Sequence, residues 1–300
     1  MIMVSWKLKH TGIIVPLITP FKKQRIDFES LENLVLPLVK EGVSGLFVVS
    51  TTGEGPLLDK EEKLAITSRV LELKGTSKVY AGTASVSLDE TLDLARHYLD
   101  MGVDAVIVVE PYYYPLDMES LYYYFDEVLS GIDGEVILYT IPSHTGNPLA
   151  PTMLTRLSEE HSNLAGVKVT TSDIKRVQQF IMAAEEASRN LDVLVGSHDL
   201  FLQSLQLGAS GGILGITNIM PRPAIELYKS YITNQVSRAL EEQEILLRAS
   251  PSLYKGFTCV LKQVLAKKQV IASPETRLYC PYTAGIMADK LLETHGSHII

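Results

Sequence analysis

The chain lacks any run of apolar residues near the ~18 that a spanning helix needs, so no transmembrane segment is expected. It has only two cysteines, Cys259 and Cys280, too few for a disulfide framework, and a reducing cytoplasm is the default location. Positive charge is in deficit. With 27 Lys and Arg against 35 Asp and Glu, the net charge of −8 gains nothing from a nucleic-acid backbone. No polybasic stretch or basic amphipathic helix points to a membrane surface. The N-terminal MIMVSWKLKHTG has its charges after a short apolar stretch and no small-residue cleavage site, unlike a secretory signal. Also missing are G-x-x-x-x-G-K-[ST], a full G-x-G-x-x-G and H-E-x-x-H. The seven histidines are scattered, with no Cys/His pairing, so no metal site is expected. Residues 208–212 match G-x-S-x-G in letters, but they precede a strand and do not join strand to helix, so a nucleophile elbow is excluded.

What is present is an alternation. The 300 residues are 46% hydrophobic and 21% charged, which excludes a largely disordered chain. Short apolar runs at 12–19, 44–50, 78–84, 104–110, 135–140, 164–169, 192–196 and 211–217 alternate with helical patterns. Those patterns fall at 30–41, 60–73, 88–101, 118–129, 151–160, 172–188, 200–207 and 224–231. Runs that are continuously apolar suit strands buried on both faces. Eight strand-then-helix units predict an α/β fold closed into a (β/α)8 TIM barrel. An open doubly wound sheet would carry a Gly-rich phosphate turn after its first strand, where this chain reads TPFKKQ. Residues 1–233 are read as the barrel, and 234–300 as a C-terminal helical extension packed on it.

In such a barrel the chemistry sits at the C-terminal ends of the strands. Lys168 stands inside the apolar strand 164–169 and alternates with valines. With Val167 and Val169 turned to the helices, Lys168 points into the barrel, beside Gly166. Burial disfavours the charged amine and lowers its pKa from ~10.4. A neutral amine attacks a ketone and forms a Schiff base. The competing reading is a lysine paired to a rim carboxylate. Tyr139, at the end of the neighbouring strand, can shuttle protons to an imine on Lys168, or simply pack with a satisfied hydroxyl. Thr51, Thr52 and Gly53 offer two hydroxyls and several amides at one turn, a nest for a small carboxylate or a plain turn before the next helix. Glu54 can cap or orient that turn. Tyr112, Tyr113 and Tyr114 read as an aromatic lid or a subunit contact. His198 and Asp199 form a small polar pair, with Asp199 placed to cap the helix that follows.

Together these residues resemble the dihydrodipicolinate synthase/N-acetylneuraminate lyase superfamily of class I aldolases. The resemblance runs through PLITPF (16–21), STTGEGPLLDKEEK (50–63), PYYYP (111–115), YTIPSHTG (139–146), GVK (166–168), VLVGSHD (193–199) and GASGGILGITNIMP (208–221), at the family's spacing. It implies that Lys168 is the Schiff-base lysine and Tyr139 the general acid/base. It implies that Thr51 relays protons and that Thr52 holds the pyruvate carboxylate. Tyr113 would enter a neighbouring subunit's site, and Gly196 and Ile213 would line the pyruvyl pocket. The family is typically a homotetramer built as a dimer of dimers, needing no metal or organic cofactor. Its partners are small molecules, a 2-keto acid and an aldehyde.

The departures bear on substrate. His144 stands where dihydrodipicolinate synthases use an arginine to hold a carboxylate, and Thr140 where they usually have Asn. PYYYP is similar to the archaeal-type 2-keto-3-deoxygluconate aldolases, which often place an arginine where this chain has Leu116. Val169 replaces an acidic residue found in many relatives. The sequence therefore points to a pyruvate-dependent lyase of 2-keto-3-deoxy sugar acids. Dihydrodipicolinate synthesis is the alternative within the class, and a non-catalytic 2-keto-acid sensor the alternative outside it.

Overall fold

The apolar runs form the eight parallel strands of a closed barrel: β1 (Gly12–Pro16), β2 (Gly45–Val48), β3 (Lys78–Gly82), β4 (Ala105–Val109), β5 (Val136–Thr140), β6 (Leu164–Val169), β7 (Asp192–Val195) and β8 (Gly211–Ile213). Each strand pairs with its sequence neighbours, and β8 pairs with β1 to close the ring. The computed structural model describes residues 8–187, 189–254 and 256–300. The first seven residues of the N-terminal segment lie outside that range, as does position 188, where the sixth helical pattern was expected to end.

A helix follows each strand: α1 (Phe28–Glu41), α2 (Lys60–Leu73), α3 (Leu88–Met101), α4 (Met118–Ser130), α5 (Pro151–Glu160), α6 (Ile174–Glu186), α7 (Phe201–Leu207) and α8 (Pro221–Ile232). Local chemistry fixes their starts. Asp27, Ser87, Asp117 and Asp173 each accept from a first-turn amide, and Asp59 with Glu62 forms a capping box. Gly42, Gly102 and Gly208 end their helices in the left-handed conformation that a side chain resists.

Burial divides the strands into two faces. Val15, Leu46, Val79, Val106, Leu138, Val167 and Val193 join the core between barrel and helices. Ile14, Phe47, Tyr80, Ile107, Ile137, Tyr139, Leu194 and Ile213 fill the interior. The pairing of β5 with β6 jumps from Val136↔Leu164 to Ile137↔Gly166, leaving Ala165 as an extra residue. This one-residue irregularity sets which side chains of β6 face inward. It pairs Tyr139 with Lys168. Gly166 has no room for a side chain, since a Cβ there would stand 2.1 Å from the Asp192 carbonyl oxygen.

Several strands are shorter than their apolar runs. β1 stops at Pro16 and β8 at Ile213, although Leu17, Ile18, Leu214 and Ile216 stay buried. The apolar run marks burial, and the ladder ends where the chain must leave the barrel to build the rim.

Three further helices follow, α9 (Val236–Ala249), α10 (Phe257–Lys267) and α11 (Ala284–His295), with α9 packed on α8. One expectation is corrected here. The cysteine count excludes a framework, yet Cys259 and Cys280 are bonded to each other, with Cα atoms 5.7 Å apart. They are separated by 21 residues, and only the fold of the segment after α10 brings them together. No helix among the described residues is long and apolar enough to cross a membrane.

Candidate active site

The inward set of β5 and β6 delivers Tyr139 and Lys168 side by side at the C-terminal end of the barrel. The Lys168 ammonium lies 3.8 Å from the centre of the Tyr139 ring and 5.1 Å from that of Phe47. Lys168 is 4% exposed. Among the described residues no carboxylate pairs with it, so the rim-carboxylate reading does not apply. Burial lowers its pKa to about 7, with nothing opposing. At neutral pH a large fraction of this amine is therefore unprotonated.

Tyr139 is buried, which pushes its phenol up to about 12, while the hydroxyls of Thr170 and Thr51 pull the other way. The phenol is thus protonated at neutral pH and faces two further hydroxyls through which a proton can pass. Thr170 follows Lys168 by two positions, so it shares the inward direction. Apart from facing the Tyr139 phenol, its hydroxyl makes no hydrogen bond among the described residues.

The exit of β2 is a tight turn. Ser50 anchors it, accepting the Gly53 amide at 3.1 Å on its hydroxyl and the Gly55 amide at 3.0 Å on its carbonyl. Thr19 donates to the Gly53 carbonyl at 2.7 Å. Gly53 therefore serves the turn itself. Its amide is engaged, and a Cβ would meet the Leu17 carbonyl at 2.7 Å. The amides of Thr51 and Thr52 make no hydrogen bond among the described residues, and both threonines line the cavity that holds Lys168.

That cavity, about 310 Å³, is lined by Thr51, Thr52, Tyr139, His144, Lys168 and Thr170, with Gly196 and Ile213 opposite. Gly196 leaves room for Thr170, whose hydroxyl oxygen stands 1.9 Å from where a Cβ would be. A second, more apolar cavity of about 200 Å³ shares Thr51, Tyr139, Ile141 and His144 with the first and adds Phe47, Val49, Ala84, Val109 and Tyr112. His144 borders both cavities, and burial with the nearby Lys168 charge lowers its pKa. Tyr113 borders neither. It is 84% exposed on a left-handed backbone, φ +83°.

A profile of the dihydrodipicolinate synthetase family matches residues 9–285. The chain belongs to that family. An uncharacterized DapA-like lyase of Thermococcus onnurineus is 34% identical over 269 residues, covering 89% of this chain and 92% of the relative. An Escherichia coli K12 prophage protein of the dihydrodipicolinic acid synthase family, solved with pyruvate, superposes with TM-score 0.89 at 27% identity, covering 95% of this chain and 98% of that one. A 2-keto 3-deoxygluconate aldolase from Picrophilus torridus superposes with TM-score 0.84 at 29% identity, covering 91% and 98%. This DapA-like protein is a carbon–carbon lyase.

The lyase's cavity also uses residues that strand-end reasoning does not find. Tyr254, Phe257 and Thr258 come from the C-terminal segment and form one wall. Nothing local in the sequence marks them. Asp199 does not cap a helix, as its position suggested. Ser250 donates to one of its oxygens and Tyr254 to the other at 3.1 Å, while His198 Nε2 meets the Ser250 hydroxyl at 2.9 Å. Gln243 of α9 holds this corner, donating to the His198 carbonyl at 2.9 Å. Glu110 clamps the exit of β5 by accepting from the Ile141 and Leu149 amides, each at 2.9 Å, and from Thr145 at 3.0 Å. Asn147 donates to the Pro111 and Tyr114 carbonyls at 2.8 and 2.9 Å, tying the tyrosine loop to that exit.

The buried amine has a stability cost with a defined pH dependence. Its folded pKa, about 7, lies below the unfolded value of ~10.4, so folding is opposed wherever the unfolded chain would hold that proton. The cost is full below pH ~7 and gone above pH ~10. Lys168→Met should therefore stabilise the protein at pH 6 by about 4 kcal/mol, with the gain shrinking toward pH 10. Urea unfolding at several pH values measures this, and a gain independent of pH would show that the amine is not desolvated.

Proposed function

We propose that this lyase is a class I aldolase that forms an imine between Lys168 and pyruvate, or a 2-keto acid that yields pyruvate. The observation that carries this reading is a buried lysine, unpaired among the described residues, stacked on the ring of a buried tyrosine. The neutral amine attacks the keto carbon and gives a carbinolamine. Tyr139 donates its proton to the departing hydroxyl, and loss of water leaves the imine. In cleavage, the Tyr139 phenolate left by that step takes the C4 hydroxyl proton, with the Thr51 hydroxyl beside it as the relay for proton exchange. The C3–C4 electrons flow into the protonated imine, giving an enamine and a free aldehyde. Protonation at C3 and hydrolysis then release pyruvate. The free amides of Thr51 and Thr52 suit the pyruvate carboxylate, beside Gly196 and Ile213.

We further propose that the substrate is a 2-keto-3-deoxy sugar acid. No arginine lines either cavity among the described residues, whereas hydroxyl-matching groups of His144, Thr145, Ser197, His198 and Tyr254 do. A carboxylate-bearing aldehyde would lack a bidentate partner. The apolar cavity beside Tyr139 and Thr51, and the outward, strained Tyr113, suit a site completed by a second subunit within a dimer or a homotetramer built as a dimer of dimers.

Borohydride with pyruvate should fix a pyruvyl group on the peptide containing Lys168 and on no other. Lys168→Arg should abolish labelling, since a guanidinium stays protonated. Tyr139→Phe should cost roughly 10²–10⁴-fold in turnover with some labelling retained. Labelling at another lysine would refute the imine reading.

With saturating pyruvate, glyceraldehyde should give a higher kcat/KM than aspartate semialdehyde, and His144→Arg should shift the ratio toward the semialdehyde. A wild-type preference for the semialdehyde would establish dihydrodipicolinate synthesis instead.

Mixing inactive Tyr113→Phe with inactive Lys168→Ala should restore activity, because a hybrid dimer contains one site with both groups. Full activity in a sedimenting monomer would refute the shared site.

A further inference from the structure

The turn that carries Thr51 and Thr52 is not self-supporting. Val49 and Glu54, at its two ends, both sit in the left-handed region at φ +56° and +59°. A β-branched residue resists that conformation, so something beyond the turn must hold it. Glu54 is 2% exposed, and its carboxylate partners among the described residues all lie far along the chain. Lys262 of α10 donates to one oxygen, and the amides of Arg277 and Leu278 donate to the other at 2.7 and 3.1 Å. Lys262 is itself fully buried, lies 4.2 Å from the centre of the Phe21 ring and donates also to the Glu275 carbonyl at 2.9 Å. One turn earlier on α10, Thr258 donates to the Thr52 carbonyl at 3.3 Å. The Cys259–Cys280 bond then ties α10 to the 275–280 segment, so the two arms that grip Glu54 are joined to each other.

A buried ion pair is a poor source of stability, because apolar side chains of similar volume usually serve as well. Its place behind the turn gives it another use. We propose that Glu54 is a positioning residue: the C-terminal strap of α10 and residues 275–280, drawn together by the Cys259–Cys280 bond, grips Glu54 and thereby fixes the Thr51 and Thr52 amides against the pyruvate carboxylate. Pyruvate affinity is then set by the state of the bridge, while imine chemistry at Lys168 is untouched at saturation. Cys280 is on the exposed side of the bridge, open to a dithiol. Reduction runs through a mixed disulfide: two electrons and two protons pass to the protein, giving two thiols, and the dithiol leaves as its own disulfide.

The inference rests on the pyruvate-imine reading, and one titration separates the two. Borohydride labelling of Lys168 against pyruvate concentration gives a plateau and a half-saturation point. The double variant Glu54→Leu/Lys262→Met should keep the plateau and raise half-saturation roughly tenfold, the scale of a lost charge-assisted hydrogen bond. A pair that serves stability alone would leave half-saturation where it was. Should that variant not fold, Thr258→Val, which loses only the tie to Thr52, should raise half-saturation by about threefold. Dithiothreitol should raise the wild-type value, reoxidation should restore it, and Cys280→Ser should sit at the reduced value with or without reagent. Half-saturation unchanged in the double variant, or in Thr258→Val where that is the variant measured, overturns the positioning role. A wild-type value indifferent to dithiothreitol overturns the bridge's part in it. Absence of wild-type labelling at every pyruvate concentration would refute the imine reading itself.

Discussion

An amine held inside an apolar barrel without a counter-charge is the constraint on which the rest of this structure depends. Desolvation brings Lys168 to a pKa of about 7, a value that suits the proposed role of nucleophile and, as an iminium, electron sink. The same burial raises the Tyr139 phenol to about 12, so the two neighbours are pushed apart in opposite directions by one environment. A carboxylate beside Lys168 would have held the amine in its charged form. A buried acid on this rim, Glu110, is satisfied by backbone amides and Thr145 at the exit of β5. Charge is thus used for architecture one layer away and kept off the amine.

That division recurs around the rim. Buried polar side chains such as Asn147, Gln243, Glu54 and Glu110 bind backbone groups of the loops. Such bonds specify loop conformation, because each buried polar group left unmatched would be costly. The groups that face the cavity are instead left with free capacity: the Thr170 hydroxyl and the amides of Thr51 and Thr52. Of the eight non-glycine residues with positive φ among the described residues, Val49 and Ala84 line the apolar cavity, Glu54 ends the Thr51–Thr52 turn and Tyr113 stands on the outer loop. The C-terminal helices take part in this. α9 supports the exit of β7 through Gln243, and α10 supports that of β2 through Thr258 and Lys262.

Much of this was legible in the sequence because two periodicities carried it. Eight apolar runs separated by helical patterns require a parallel sheet with both faces covered, and the closed ring follows from their number. A lone lysine between Val167 and Val169 must face opposite to them, so its entry into the barrel follows from strand geometry. Thr170 obeys the same rule and was within reach of it. His144, Gly196 and Ile213 sit at strand ends, where a barrel keeps its chemistry.

What the sequence did not determine are relations between distant segments with no periodic trace. Asp199 has the spacing of a helix cap, but Ser250 and Tyr254 reach it from a part of the chain that sequence alone cannot place. Cys259 and Cys280 count as two isolated thiols until the turn after α10 brings them within bonding range. Glu54 reads from the sequence as a turn residue, and nothing local ties it to Lys262, 208 positions away. Local pattern fixes which way each side chain leaves its own strand or helix. Only the closing of the barrel, and the packing of the last three helices against its rim, decides which of those side chains meet.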